Sequence, residues 1–349
     1  MIKVGIIDPQ PDSASAFYRS TGPFAYLEKV DGLGKFPLLQ NVAWHSLHGC
    51  DAVFMRSPVG QHGPNLVKHL LDQGLPVWCD YDDSIDLMPE TFPLYMKLGS
   101  QTKNVHDIWE MATHLSTSSK VLFKRWTDMG YENKCTIIPN AVDEELIRRL
   151  QSVIPPMSKP KTPTVWWRGG QSHYENVAYY LDSLKDIQAN FVFQGYDFFK
   201  DEPHAEKHAS RVALKNPFKE HQYRYIEWKN IPFCFSESMQ LNPHVSLVMH
   251  NKHLFNESKS NSAWLEAVVA GAISVVPNTP EWADLKGTVK YDVGNKTSFR
   301  NAVETAVAIP MEQALGMYTE ALEQVKQSYL LGNVNVLRAQ VINKLINRL

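Results

Sequence analysis

Short apolar, β-branched runs alternate with helical runs along this 349-residue chain, and that alternation leaves few folds open. Before a proline-rich break it reads KVGIID (3–8), CDAVFMRS (50–57), GPNLVKHLLDQG (63–74), LPVWCDYDD (75–83) and KCTIIPNAV (134–142). After the break it restarts with TPTVWWRGG (162–170), ENVAYYLDSLKDI (175–187), NFVFQG (190–195), HVSLVMH (244–250), AISVVPN (272–278) and TSFRNAVETAVA (297–308). Strands alternating with helices argue for βαβ units and parallel sheets. The break, VIPPMSKPKTP (153–163), holds four prolines and little that can be buried, which suits a linker. A single core stops growing at roughly 250–300 residues, so two domains are expected. Residues 311–349 carry helical composition and no strand signal, and read as two closing helices, the last packing back on the first domain. The expected division is 1–155, 156–325 and a closing helix within 326–349.

Composition narrows the class further. With 44% hydrophobic and 21% charged residues the chain has the make-up of a globular protein, and no run approaches the ~20 apolar residues of a membrane span. The start, MIKVGIID, reads as a first strand rather than a signal peptide, so a cytoplasmic location is expected. Cys50, Cys79, Cys135 and Cys234 are far apart and form no CxxC pair, which points to reduced core residues. A net charge of −2 gives no overall attraction to nucleic acid or acidic lipid, though a local patch would.

The stretch FNESKSNSAWLEAVVAGAISVVPN (255–278) sets one carboxylate, Glu266, inside an apolar helix-like run that passes through Gly271 into a strand. A helix starting near 259–261 would offer free amides and the positive end of its dipole to a phosphate, beside Ser258, Lys259 and Ser260. Lys259, Ser262, Glu266 and Ala270 share one side at helical spacing. That side is either a solvated edge or a binding face on which Glu266 takes hydroxyl hydrogen bonds from a vicinal diol such as a ribose.

This stretch resembles the donor-site segment of family 4-type glycosyltransferases of the GT-B fold. The resemblance implies an α/β protein of two Rossmann-like domains facing across a cleft, with the nucleotide sugar on the second. In that family a glutamate before an A-x-x-x-G turn binds the donor ribose, which carries over to Glu266. The position eight residues earlier, a second glutamate in the family, is Ser258 here, and Glu257 is one residue off. TVWWRGGQSHYEN is similar to the W-x-G-x-x-S-H loop that opens the donor domain in a phage and bacterial branch of these enzymes. By carry-over Arg168, Gly169, Gly170, Ser172 and His173 lie near the diphosphate. A glycine pair by itself also suits a plain turn. TIIPNAVD (136–143) resembles the I-P-N-G-V-D segment that ends the first domain, with Ala141 in place of the glycine. It places the boundary and carries no chemistry.

CDYDDSIDLMPE clusters Asp80, Asp82, Asp83 and Asp86 after an apolar strand. Such carboxylates form a turn, hold a divalent ion on a sugar diphosphate as in GT-A enzymes, or touch an acceptor hydroxyl. The resemblance favours the last, making Asp82, Asp83 and His173 the candidate catalytic side chains. The histidines match no ligand spacing, and no metal or cofactor is expected beyond a UDP or GDP sugar as co-substrate. In residues 204–230 six Lys or Arg interleave with four aromatics. This pattern suits either a nucleic-acid surface, with Lys215, Lys219 and Arg224 as contacts, or a solvated helix with a buried aromatic face.

The expected activity is therefore transfer of a sugar from a nucleotide-diphosphate sugar to an acceptor hydroxyl, with retention. The acceptor would be a soluble glycan, a small metabolite, or a hydroxymethylated base in phage-type DNA. A nucleotide-sugar epimerase of the same fold and a non-catalytic nucleotide-sugar-binding protein are the rival readings.

Overall fold

The computed structural model describes residues 1–39, 47–92, 95, 101–153, 161–201 and 212–347. Most of the proline-rich break and part of the basic stretch, including Lys207 and Arg211, lie outside them. Among the described residues, twelve strands form two six-stranded sheets.

The first sheet contains β1 (Ile2–Ile7), β2 (Gly34–Lys35), β3 (Ala52–Arg56), β4 (Val77–Tyr81), β5 (His114–Thr117) and β6 (Cys135–Ile137), in the order β2-β1-β3-β4-β5-β6. The second contains β7 (Thr164–Gly169), β8 (Asn190–Gly195), β9 (Tyr223–Glu227), β10 (Val245–Leu247), β11 (Ile273–Pro277) and β12 (Thr288–Tyr291), in the order β12-β11-β10-β7-β8-β9. Every pairing is parallel. Parallel strands need a crossover between them, so helices cover both faces and all carboxyl ends of a sheet share one edge. This is why β3 and β4, buried along their whole length, are apolar except near that edge, where Arg56 and Asp80 lie side by side in register.

The closing helices divide between the domains. Helix Met311–Ser328 puts Tyr318, Ala321 and Val325 into a cluster with Trp264, Val268 and Trp282. Helix Leu331–Ile346 packs Leu331, Val334, Val341 and Ile342 against Val4, Ile6, Phe54 and Trp78 of the first sheet. Between the two, Val142 and Leu330 form a parallel bridge.

One short helix of the first domain, Ala14–Arg19, reaches the second. Ser13 caps it by accepting from the Ala16 amide at 3.1 Å. Phe17 then meets Phe235 of helix Ile231–Leu241 edge to face at 6.0 Å, and Tyr18 is buried beside Trp264 and Leu265. Residues 223–227 form the edge strand β9 rather than a helix, because Tyr223 and Phe218 pack on Phe191 and Phe193 of the sheet interior.

Candidate functional site

The carboxyl edges of the two sheets face each other across a cleft of about 460 Å³. That volume lies within the roughly 300–1,000 Å³ typical of small-ligand sites. Gln10, Ser13 and Ser15 follow β1 and Asp82 and Asp83 follow β4, and these line the first-domain side. The opposite side is built from the turn after β7, His250 after β10, and the segment from Lys259 to Glu266.

Glu266 resolves the puzzle of a carboxylate in an apolar run. It is 2% exposed and lies on helix Ser262–Val269, whose N-cap is Asn261. Arg168, at the end of β7, clamps it with Nε on Oε2 and Nη2 on Oε1. The hydroxyl of Tyr18 donates to Oε1 at 3.0 Å from across the domain boundary. A carboxylate has about four acceptor positions. Three are filled by these groups, and Glu266 still borders the cleft. Arg168 therefore sits on Glu266, with its guanidinium over the Trp228 ring at 5.3 Å, and it also lines the cleft.

Lys259 is the cation that spans the cleft. Its Nζ lies 3.4 Å from both oxygens of Asp83 and 4.4 Å from the centre of the Phe255 ring. The four aspartates of the acidic stretch separate into distinct duties. Asp80 is buried and gripped by Arg19, whose Nε and Nη2 lie at 2.9 and 2.5 Å. Asp86 pairs with Arg125 at 2.6 Å, while Asp82 and Asp83 reach the cleft. Burial pushes the Asp82 carboxyl up, but Arg56, Ser15 and Arg19 outweigh it and hold it below the usual range. For Asp83 burial prevails, with Asp82 adding to it and Lys259 opposing, so its carboxyl is raised. Two adjacent carboxyls thus differ in readiness to ionise, the arrangement that separates an acid from a base.

The glycine turn after β7 is forced by close packing. A Cβ on Gly169 would meet the Trp167 ring at 2.5 Å, and one on Gly195, at φ +116°, would lie 2.2 Å from the Gly169 carbonyl. Gly170, Ser172 and His173 then line the cleft. The His173 imidazole is pushed down to about 3, first by burial and then by Lys259 and Arg168, so it stands neutral. It lies parallel to His250, 8° between planes and 6.3 Å between centres. Among the described residues, buried His250 leaves Nδ1 without a partner and meets, edge to face, Trp282, whose buried Nε1 is also unpaired.

Other expected residues lie elsewhere. Ser258 is fully buried, donates to the Phe255 carbonyl at 2.8 Å and accepts from the Ser84 amide at 3.3 Å, so it joins the domains without lining the cleft. Ser260 does line it and accepts from Asn140 at 3.0 Å. Lys215, Lys219 and Arg224 are exposed and not part of the cleft. Tyr18, His250 and Trp282 had no motif to mark them, and Trp228 was marked only as an aromatic of the basic stretch. Asn140 alone stood in a quoted motif, IPN, to which no chemistry was assigned. Among the described residues no group of three His, Cys, Asp or Glu is placed to hold a metal ion.

The sequence matches no protein-family model and no curated protein. Solved structures are similar over the whole chain. A sucrose-phosphate synthase from Thermosynechococcus elongatus superposes with a TM-score of 0.72 at 9% identity, covering 100% of both chains. Anabaena Alr3699/HepE in complex with UDP-glucose gives 0.62 at 13% identity, again over 100% of both. An alpha-glucosyltransferase in complex with UDP and a 13-mer DNA containing a HMU base gives 0.62 at 13%, covering 98% of this chain and 99% of that one. At such identities the likeness establishes the fold, the GT-B arrangement of two α/β domains.

Proposed function

We propose that this chain is a retaining glycosyltransferase that moves a hexose from UDP to an acceptor hydroxyl in the cleft. The observation that carries the reading is the opposition of a buried, clamped Glu266 on one wall to Asp82 and Asp83 on the other, with Lys259 between them. The neighbours named with UDP-glucose or UDP support the choice of nucleotide.

In this reading the nucleotide lies along the second domain. The free acceptor position of Glu266 takes one ribose hydroxyl. Lys259, the amides of the turn at Gly169 and Gly170, and Ser172 and Ser260 face the diphosphate, where negative charge grows as the bond to the sugar breaks. The acceptor oxygen bonds to the anomeric carbon on the same face from which the diphosphate leaves, which keeps the configuration, and the electron pair of the broken bond leaves with the diphosphate. The hydroxyl proton passes to an ionised group, a role this reading assigns to Asp82. Neutral His173 and His250 serve as hydrogen-bond partners for the sugar. No metal is assigned a step, since a fixed ammonium and backbone amides already face the leaving group. Of the aromatics in the basic stretch, Phe218 and Tyr223 are partly buried against Phe191 and Phe193, which leaves Trp228 as the exposed one.

The test is calorimetric titration with UDP-glucose, UDP-galactose and GDP-mannose, followed by an assay for free UDP. UDP-glucose should bind and release UDP slowly to water, faster with an acceptor. Failure of every nucleotide sugar to bind would end the transferase reading. Conversion of the sugar while still attached to UDP would turn it to an epimerase, and donor binding with no release would leave a binding protein.

A further inference from the structure

We infer that the acceptor half of the cleft takes an uncharged hydroxyl compound and excludes a phosphorylated one, an inference that rests on the transferase reading above. The first-domain wall is made by Gln10, Ser13, Ser15, Asp82 and Asp83, and no cation belongs to it among the described residues. Two arginines stand behind this wall, and both are committed. Arg56 places Nε and Nη2 at 2.7 Å on the two oxygens of Asp8, and Arg19 grips Asp80 in the same way. Their side chains are 7% and 1% exposed. Turning either toward a phosphate would strip a buried carboxylate of its partner, which buried pairs resist strongly.

Charge bookkeeping leads the same way. The pairs Asp8–Arg56 and Asp80–Arg19 cancel, and Asp82 and Asp83 are the further carboxylates of the wall. Among the described residues the cation that meets Asp83 is Lys259 of the opposite wall, at 3.4 Å. Arg168 is held by Glu266. A phosphate brought here would meet a wall whose carboxylates, Asp8, Asp80, Asp82 and Asp83, outnumber the cations Arg56, Arg19 and Lys259 that face them, and like charges set together disfavour a partner strongly. A neutral polyol meets the opposite situation. Its hydroxyls donate to carboxylates, and Asp82 and Asp83 both border the cleft.

The experiment uses the full chain in two steps. UDP is titrated first; absence of UDP binding counts against the transferase reading itself and is scored separately. The UDP complex is then titrated with matched pairs, glucose and glucose 6-phosphate, fructose and fructose 6-phosphate, and with inorganic phosphate alone. Each 6-phosphate should bind no better than its parent sugar, about tenfold more weakly wherever the parent binds, and phosphate alone should show no saturable binding. Absence of binding by every phosphorylated probe agrees with the inference. A 6-phosphate that binds the UDP complex more tightly than its parent, or one equivalent of phosphate bound with UDP present, would overturn it while leaving the transferase reading intact.

Discussion

Replacing Arg168 by Met tests whether the clamp on Glu266 is what lets a carboxylate sit in this helix. Arg168 and Glu266 have side chains only 12% and 3% exposed, so solvent cannot take over from the lost partner. Removing one member of a buried pair costs about 3–5 kcal/mol. At about 2–4 °C per kcal/mol for a domain of this size, the melting temperature should fall by roughly 6–20 °C. Glu266→Leu should cost a similar amount by orphaning the guanidinium. The double variant carries no buried charge. Its residual penalty is the Tyr18 hydroxyl left without an acceptor, about 1–3 kcal/mol. The coupling between the two sites should therefore be at least about 3 kcal/mol. Urea unfolding followed by tryptophan fluorescence reads it, since Trp166 and Trp264 are fully buried next to the pair. Single-variant losses that add to within about 0.5 kcal/mol of the double would refute the reasoning.

Tyr18→Phe removes one donor from a charged, buried acceptor, so stability should drop by about 1.5–3 kcal/mol and UDP-sugar affinity should weaken; unchanged calorimetric affinity would detach Tyr18 from the donor site. Glu281, buried and accepting from the Lys120 amide at 2.9 Å, has its carboxyl pushed up by burial to about 7. Its folded value exceeds the unfolded one, so its contribution is full below about pH 4.5 and is lost as pH rises to about 7, a change on the order of 3 kcal/mol at most. Glu281→Gln should flatten that loss, and melting curves of the two proteins that stay parallel from pH 5 to pH 8 would contradict it. His173 stays neutral in the fold, so below about pH 6.5 the unfolded chain takes up a proton that the fold refuses, and stability declines as pH falls. Accordingly kcat/KM measured from about pH 5 to 8 should contain no inflection that His173→Asn removes.

Local pattern carried much of this molecule. The period of the apolar runs, their β-branched content and the glycine and proline punctuation depend on neighbours a few residues apart, and so the parallel α/β class and the doubled layout were legible in the chain. The glycine turn after β7 was legible for the same reason. Periodicity failed for residues 223–227, whose alternation of basic and aromatic residues was ambiguous until Phe218 and Tyr223 were seen packed on the sheet. The site's electrostatics were out of reach. Glu266 stood out as a lone carboxylate, yet its partners come from 98 and 248 residues away. Asn140 meets Ser260 across 120 residues, and Arg19 meets Asp80 across 61. Nothing in local spacing records such pairs: Arg168–Glu266 and Arg19–Asp80 form when distant segments of one domain pack, and Tyr18–Glu266 and Asn140–Ser260 only when the two domains dock. The sequence alone decided what kind of sheet each half would build. Tertiary structure alone decided which charges would be cancelled and which would be left facing the cleft, since a buried charge is settled by whatever distant group the folded chain brings within hydrogen-bond reach.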